Sequence, residues 1–127
     1  MGQGFFKASY FHDLSKVEFT NEQKAAVENE IQNDPLVIYS KDYCPYCMLT
    51  KRLFTSKNVT PHIREINLEE EQGIIVQAVL LDMTGQKTVP SIFIAGKHIG
   101  GNAEVQALAN TGELRNLLDN AGIANDF

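Results

Sequence analysis

The chain carries only two cysteines, and just Pro45 and Tyr46 separate them in Cys44-Pro45-Tyr46-Cys47. Immediately before the pair, Leu36-Val37-Ile38-Tyr39 is a short apolar run that reads as a buried strand. Immediately after it, Met48-Leu49-Thr50-Lys51-Arg52-Leu53-Phe54 reads as a helix. A chain that turns from strand to helix at a cysteine pair sets its first cysteine at a helix N-terminus. Unpaired backbone N–H groups and the positive end of the helix dipole favour an anion there. A thiolate is such an anion, and it is the reactive form of cysteine. Pro45 suits the first helical position, because the N–H that it lacks has no intrahelical partner there.

Competing readings of the pair are weaker. Structural zinc needs further ligands, and His12, His62 and His98 are scattered without ligand spacing. A permanent disulfide would close a very small loop and constrain the unfolded chain little. Inert buried cysteines would have to fall at this spacing and at a helix start by coincidence. A dithiol redox site remains the strongest reading.

At 127 residues the chain has the length of one domain, and its 43% hydrophobic content is enough to bury a core. The net charge of −5, with no basic block, argues against nucleic acid or an anionic membrane surface as the main partner. No apolar run approaches the ~20 residues of a membrane span. Residues 1–19 carry Phe5, Phe6, Tyr10, Phe11 and Phe19 without a clear period, and Lys7, His12 and Asp13 interrupt any signal-peptide core. Phe6 stands where N-myristoylation expects Ser or Thr. These residues read as an N-terminal arm, flexible or added for expression, ahead of a domain over 20–127. Two reduced or cycling thiols suit a reducing compartment, so the expected location is cytoplasmic, with a processed secretory-pathway or organellar form as the alternative.

Along the domain, Thr20-Asn21-Glu22-Gln23 matches a capping box, so a helix starts there with Val27 and Ile31 on its buried face; Asn33-Asp34-Pro35 stops it. A strand over Leu36–Ser40, the cysteine turn and a helix from Pro45 to about Lys57 follow. His62–Leu68 alternates as a second strand, and Gly73–Met83 is a largely buried helix. Ser91–Ile94 and His98-Ile99 form a hairpin about Ala95-Gly96-Lys97. Asn102 then caps one helix, with Val105 and Leu108 facing inward, and Thr111 caps another holding Leu114, Leu117 and Leu118. Strands separated by helices, then a hairpin, imply an α/β fold: a mixed sheet with helices on both faces.

Three segments together resemble the glutaredoxin family. They are Tyr39-Ser40-Lys41-Asp42-Tyr43-Cys44-Pro45-Tyr46-Cys47, Thr84-Gly85-Gln86-Lys87-Thr88-Val89-Pro90, and Ile94-Ala95-Gly96-Lys97-His98-Ile99-Gly100-Gly101-Asn102. The resemblance covers about residues 20–120, in matching motif order. Thioredoxin itself fits poorly: its motif is W-C-G-P-C, and this chain has no Trp.

The resemblance implies a thioredoxin fold with a four-stranded mixed sheet, and a glutathione-dependent thiol-disulfide oxidoreductase. Cys44 is then the nucleophile and Cys47 the second thiol. Lys41 favours both the Cys44 thiolate and a glutathione carboxylate, and Tyr46 lines the glutathione groove. Thr88, Val89 and Pro90 form a cis-proline loop whose backbone pairs with the cysteinyl part of glutathione. Gln77 matches a position that binds the glycine carboxylate; an exposed polar helix face is the other reading. Gly101, Asn102 and Ala103 receive the γ-glutamyl end, Ala103 standing where the family often has Asp or Ser, with Glu104 beside it. His98 reads as a solvated strand residue rather than a proton shuttle.

The implied partners are glutathione as co-substrate, glutathionylated proteins and small mixed disulfides, acting on a monomer with no metal. The alternatives are a glutathione-ligated [2Fe-2S] cluster carrier, which the stiff Pro45 turn disfavours by family analogy, and a zinc-binding interaction module.

Overall fold

A computed structural model describes residues 13–127; residues 1–12, with Phe5, Phe6, Tyr10 and Phe11 of the expected arm, lie outside the described residues. The chain divides into two compact units, one formed by Ile66–Lys87 with the chain up to Asn29, the other by Glu30–Glu65 and Thr88–Phe127.

The second unit holds the sheet. Strands β1 (Leu36–Ser40), β2 (His62–Glu65), β3 (Ser91–Ile94) and β4 (Lys97–Gly100) lie in the order β2-β1-β3-β4. β1 runs parallel to β2 and antiparallel to β3, and β3 pairs antiparallel with β4. Ile38 faces Ile63 on one side and Ile92 on the other. Helices α2 (Pro45–Thr55), α4 (Asn102–Thr111) and α5 (Glu113–Asn120) cover one sheet face. Leu36, Ile38, Ile92 and Ile94 pack there with Phe54, Val105, Leu114 and Leu118. Val37, Tyr39 and Phe93 alternate with them onto the opposite face and are buried too. That is why β1 reads as a continuous apolar run rather than an alternating one.

On that second face, the Tyr39 hydroxyl donates to Glu30 Oε1 at 2.6 Å, from the C-terminal turn of α1 (Asn21–Asn33). The capping box of α1 is present in both halves. Gln23 N–H donates to Thr20 Oγ1 at 3.0 Å, and Thr20 N–H donates to Gln23 Oε1 at 2.8 Å. Val27 and Ile31 are buried as expected.

Several boundaries differ from the sequence reading. β2 ends at Glu65 rather than Leu68 and is an exposed edge strand throughout. Beyond it, Asn67 Oδ1 accepts from Glu69 N–H at 2.9 Å, a local turn that competes with an extended chain. Helix α3 (Glu71–Thr84) therefore begins before Gly73, and Gly73 lies within it. A Cβ on Gly73 would collide with the Asn67 carbonyl, so glycine allows this close approach.

Asn102 is the first residue of α4, not its cap. The cap is Gly101, whose N–H donates to Glu104 Oε1 at 2.7 Å. Likewise Gly112, at φ 85°, separates α4 from α5, while the Thr111 hydroxyl still accepts from Glu113 N–H at 3.3 Å. In the first unit, a short 3-10 helix (Leu14–Lys16) packs on α3, with Asp13 Oδ1 accepting from Ser15 N–H at 2.9 Å.

Candidate active site

Cys44 is the N-cap of α2, with extended φ −94° and ψ 115°. Its sulfur accepts from Cys47 N–H at 3.3 Å, so the first turn of the helix directs a backbone donor at Sγ. Cys44 N–H donates to the Lys41 carbonyl at 3.1 Å, closing the turn that leads from β1 into the helix. Pro45 holds the first helical position. The two thiols are free and differ in access: Cys44 is half-buried, Cys47 is 0% exposed. Burial pushes the Cys47 thiol up to about 11, and its hydrogen bond with Cys44 adds to the rise.

Lys41, half-buried beside the turn, is pushed down by burial, while the charges of Cys44 and Cys47 push it back up. Tyr46 is 63% exposed, and Tyr43, Met48 and Leu49 are also exposed around the cysteine turn.

The Val89–Pro90 peptide bond is cis, as the resemblance implied. Cys44 Sγ donates to the Val89 carbonyl at 3.7 Å, so the Thr88-Val89-Pro90 loop lies against the Cys44 thiol. The Gly100-Gly101 loop leads into α4. The left-handed residue of that loop is Gly100, at φ 126°, whereas Gly101 is extended at φ −105°. Asn102 Oδ1 accepts from Thr50 Oγ1 at 3.0 Å and from Gln106 Nε2 at 3.2 Å, and Ala103 is exposed.

The Glutaredoxin family model matches residues 36–99, half of the chain. The chain belongs to the glutaredoxin family. Glutaredoxin-C6 of Oryza sativa subsp. japonica is 43% identical over 99 residues, covering 77% of this chain and 87% of that protein. Monothiol glutaredoxin-S6 of the same species is 40% identical over 102 residues, covering 80% and 77%. The buckwheat glutaredoxin–glutathione complex superimposes with a TM-score of 0.73 at 38% identity, covering 82% of this chain and 97% of that one. The holo form of glutaredoxin C1 from Populus tremula x tremuloides gives 0.75 at 34% identity, covering 80% and 99%. The fold is the thioredoxin fold of these glutaredoxins, and the protein is a glutathione-dependent thiol-disulfide oxidoreductase.

Within this glutaredoxin, Gln77 makes a contact that the sequence did not suggest. Gln77 is 2% exposed, so it does not lie on an open helix face. Its Nε2 donates to the Lys87 carbonyl at 2.7 Å, tying α3 to the segment before Thr88. Its Oε1 is buried without a hydrogen-bond partner among the described residues. His98 packs its ring 5.2 Å from that of Phe93, and burial lowers its pKa. It is an exposed strand residue, as the sequence suggested, with one ring face against Phe93.

Two participants escaped the sequence reading. Glu104 caps the Gly101 N–H, a role signalled by its position three residues after the cap. Thr50 carried no signal beyond a polar residue on the buried stripe of α2.

Proposed function

We propose that this glutaredoxin reduces mixed disulfides between glutathione and proteins or small thiols, with Cys44 as the sole obligatory nucleophile. The supporting observation is the asymmetry of the pair. Cys44 Sγ receives a backbone N–H at a helix start and is accessible, whereas Cys47 is sealed and held protonated at neutral pH.

The Cys44 thiolate attacks the glutathionyl sulfur of the substrate. The Cys44–glutathione disulfide forms, the substrate disulfide breaks, and the departing thiolate takes a proton from water. A second glutathione, as thiolate, attacks the glutathionyl sulfur on Cys44. Oxidised glutathione leaves, and the Cys44 thiolate returns. The net exchange is one mixed disulfide and one glutathione for one thiol and one oxidised glutathione. With a protein disulfide, Cys47 loses its proton and displaces the substrate thiol from Cys44. The Cys44–Cys47 disulfide so formed is then reduced by two glutathione molecules.

Glutathione is held along its length by groups of the second unit. The Lys41 ammonium faces a carboxylate, the Tyr46 ring lines the groove, and the Thr88-Val89-Pro90 backbone pairs with the cysteinyl peptide in extended fashion. The N–H groups at the start of α4, over Gly101, Asn102 and Ala103, meet the γ-glutamyl carboxylate. Gln77, buried and engaged with Lys87, is left out of this set. The reaction needs no metal and draws on the glutathione pool of a reducing compartment such as the cytoplasm, with a monomer as the working unit.

Trapping tests the reading. The Cys47→Ser protein, incubated with oxidised glutathione, should gain a single glutathionyl group, on Cys44, that reduced glutathione removes. A protein that gains none contradicts the proposal.

A further inference from the structure

We infer that Thr50 and Asn102 form a positioning pair that sets the affinity of this glutaredoxin for the glutathionyl half of its substrate. The inference rests on the function proposed above and concerns the same site.

Thr50 lies on α2, on the buried stripe that also holds Cys47 and Phe54, and is 0% exposed. An apolar side chain at that position would fill the core without a polar group to satisfy. A helical threonine commonly returns its hydroxyl to its own helix. Here Thr50 Oγ1 instead donates across to Asn102 Oδ1 at 3.0 Å. Asn102 is the first residue of α4, immediately after the Gly101 cap. Its Oδ1 also accepts from Gln106 Nε2 at 3.2 Å, one turn further along α4, so the acceptor is fixed from both sides.

The bond therefore joins the helix that begins at Cys44 to the helix whose first N–H groups receive the γ-glutamyl carboxylate. If α4 slid or rotated, a fully buried hydroxyl would lose its partner, which is costly. The pair thus holds the carboxylate-binding N–H groups at a set distance from the reacting sulfur. Neither side chain touches the reacting atoms. Misplacing the far subsite should weaken binding of the glutathionyl group and spare the chemistry at Cys44.

The test is steady-state kinetics on the mixed disulfide of glutathione and 2-mercaptoethanol at saturating glutathione, with wild type, Thr50→Val and Thr50→Ser. Thr50→Val keeps the shape and removes the donor. It should raise the KM for the mixed disulfide roughly threefold to tenfold, the factor expected for one lost buried hydrogen bond. Its kcat should stay near wild type, and Thr50→Ser should restore the KM. Thermal unfolding of each variant, run alongside, should show both folded at the assay temperature. An unchanged KM in Thr50→Val overturns the inference alone, and so does a fall in kcat that Thr50→Ser fails to rescue. A wild type without glutathione-dependent turnover overturns the functional reading and the pair with it.

Discussion

The backbone N–H of Cys47 points at Cys44 Sγ across 3.3 Å. One cysteine thus supplies part of the electrostatic setting of the other through its backbone, while its own thiol is sealed in the core. Single substitutions can therefore separate the two roles, because a serine at position 47 retains the N–H.

Alkylation should report this asymmetry. At neutral pH, iodoacetamide should modify Cys44 alone in the folded protein, and Cys47 should react only after unfolding. Mass spectrometry of the modified peptides checks it; equal labelling of both thiols would contradict the burial of Cys47. The same group makes stability pH-dependent. Folded Cys47 keeps its proton to about 11, while the unfolded thiol loses its proton near 9.0. The unfolded chain therefore releases protons first, and stability should fall as pH rises from about 9 to 11.

Gly100→Val should impair glutathione use more than the same change at many surface turns. Gly100 has φ 126°, and a Cβ there would approach Glu104 Cγ and Oε1 to 2.8 Å. The substitution strains the backbone and pushes away the carboxylate that caps Gly101 N–H. A loss of about 1–3 kcal/mol in urea-unfolding stability, together with a raised KM for mixed disulfides, is expected. Wild-type values for both would show that the loop is only a turn.

Tyr39→Phe tests the buried side of the sheet. Burial pushes the Glu30 carboxyl up, but hydrogen bonds from Tyr39 and His62 and the charge of Arg64 outweigh it, and the net shift is downward. Removing the hydroxyl should cost about 1–2 kcal/mol in urea unfolding at neutral pH. Because Glu30 sits below its usual 4.5, its contribution is present above that pH and fades as pH falls below it. The gap between wild type and Tyr39→Phe should therefore narrow in acid; a gap independent of pH would contradict the assignment.

Much of this was legible because it is local. The strand Leu36–Ser40, the cysteine turn and the Thr20 capping box each depend on neighbours within a few residues, and each stands where the sequence pattern put it. Other features depend on distant partners. Gln77 could read as a polar residue on an open helix face until the Lys87 carbonyl is seen to hold it inside. Asn102 has the chemistry of an N-cap, yet its side chain serves Thr50, far away in sequence, and the Gly101 cap takes its acceptor from Glu104. β2 keeps the alternation of a longer strand, but the Asn67 turn ends it. Pattern records which residues are polar or apolar, and pairing decides which polar group is satisfied by which.

We propose that the catalytic domain comprises residues 20–127, so deletion of residues 1–19 should retain mixed-disulfide turnover. Loss of the contact between Leu14–Lys16 and α3 should lower the melting temperature modestly. Turnover abolished in a protein that still folds would move the domain boundary toward the N-terminus.

The most direct measurement is glutathione-dependent reduction of a mixed disulfide by wild type, Cys44→Ser and Cys47→Ser, assayed side by side at neutral pH. The account predicts no turnover for Cys44→Ser and substantial turnover for Cys47→Ser, because the exchange runs through one accessible sulfur. Comparable loss in both variants, or activity surviving in Cys44→Ser, would contradict it.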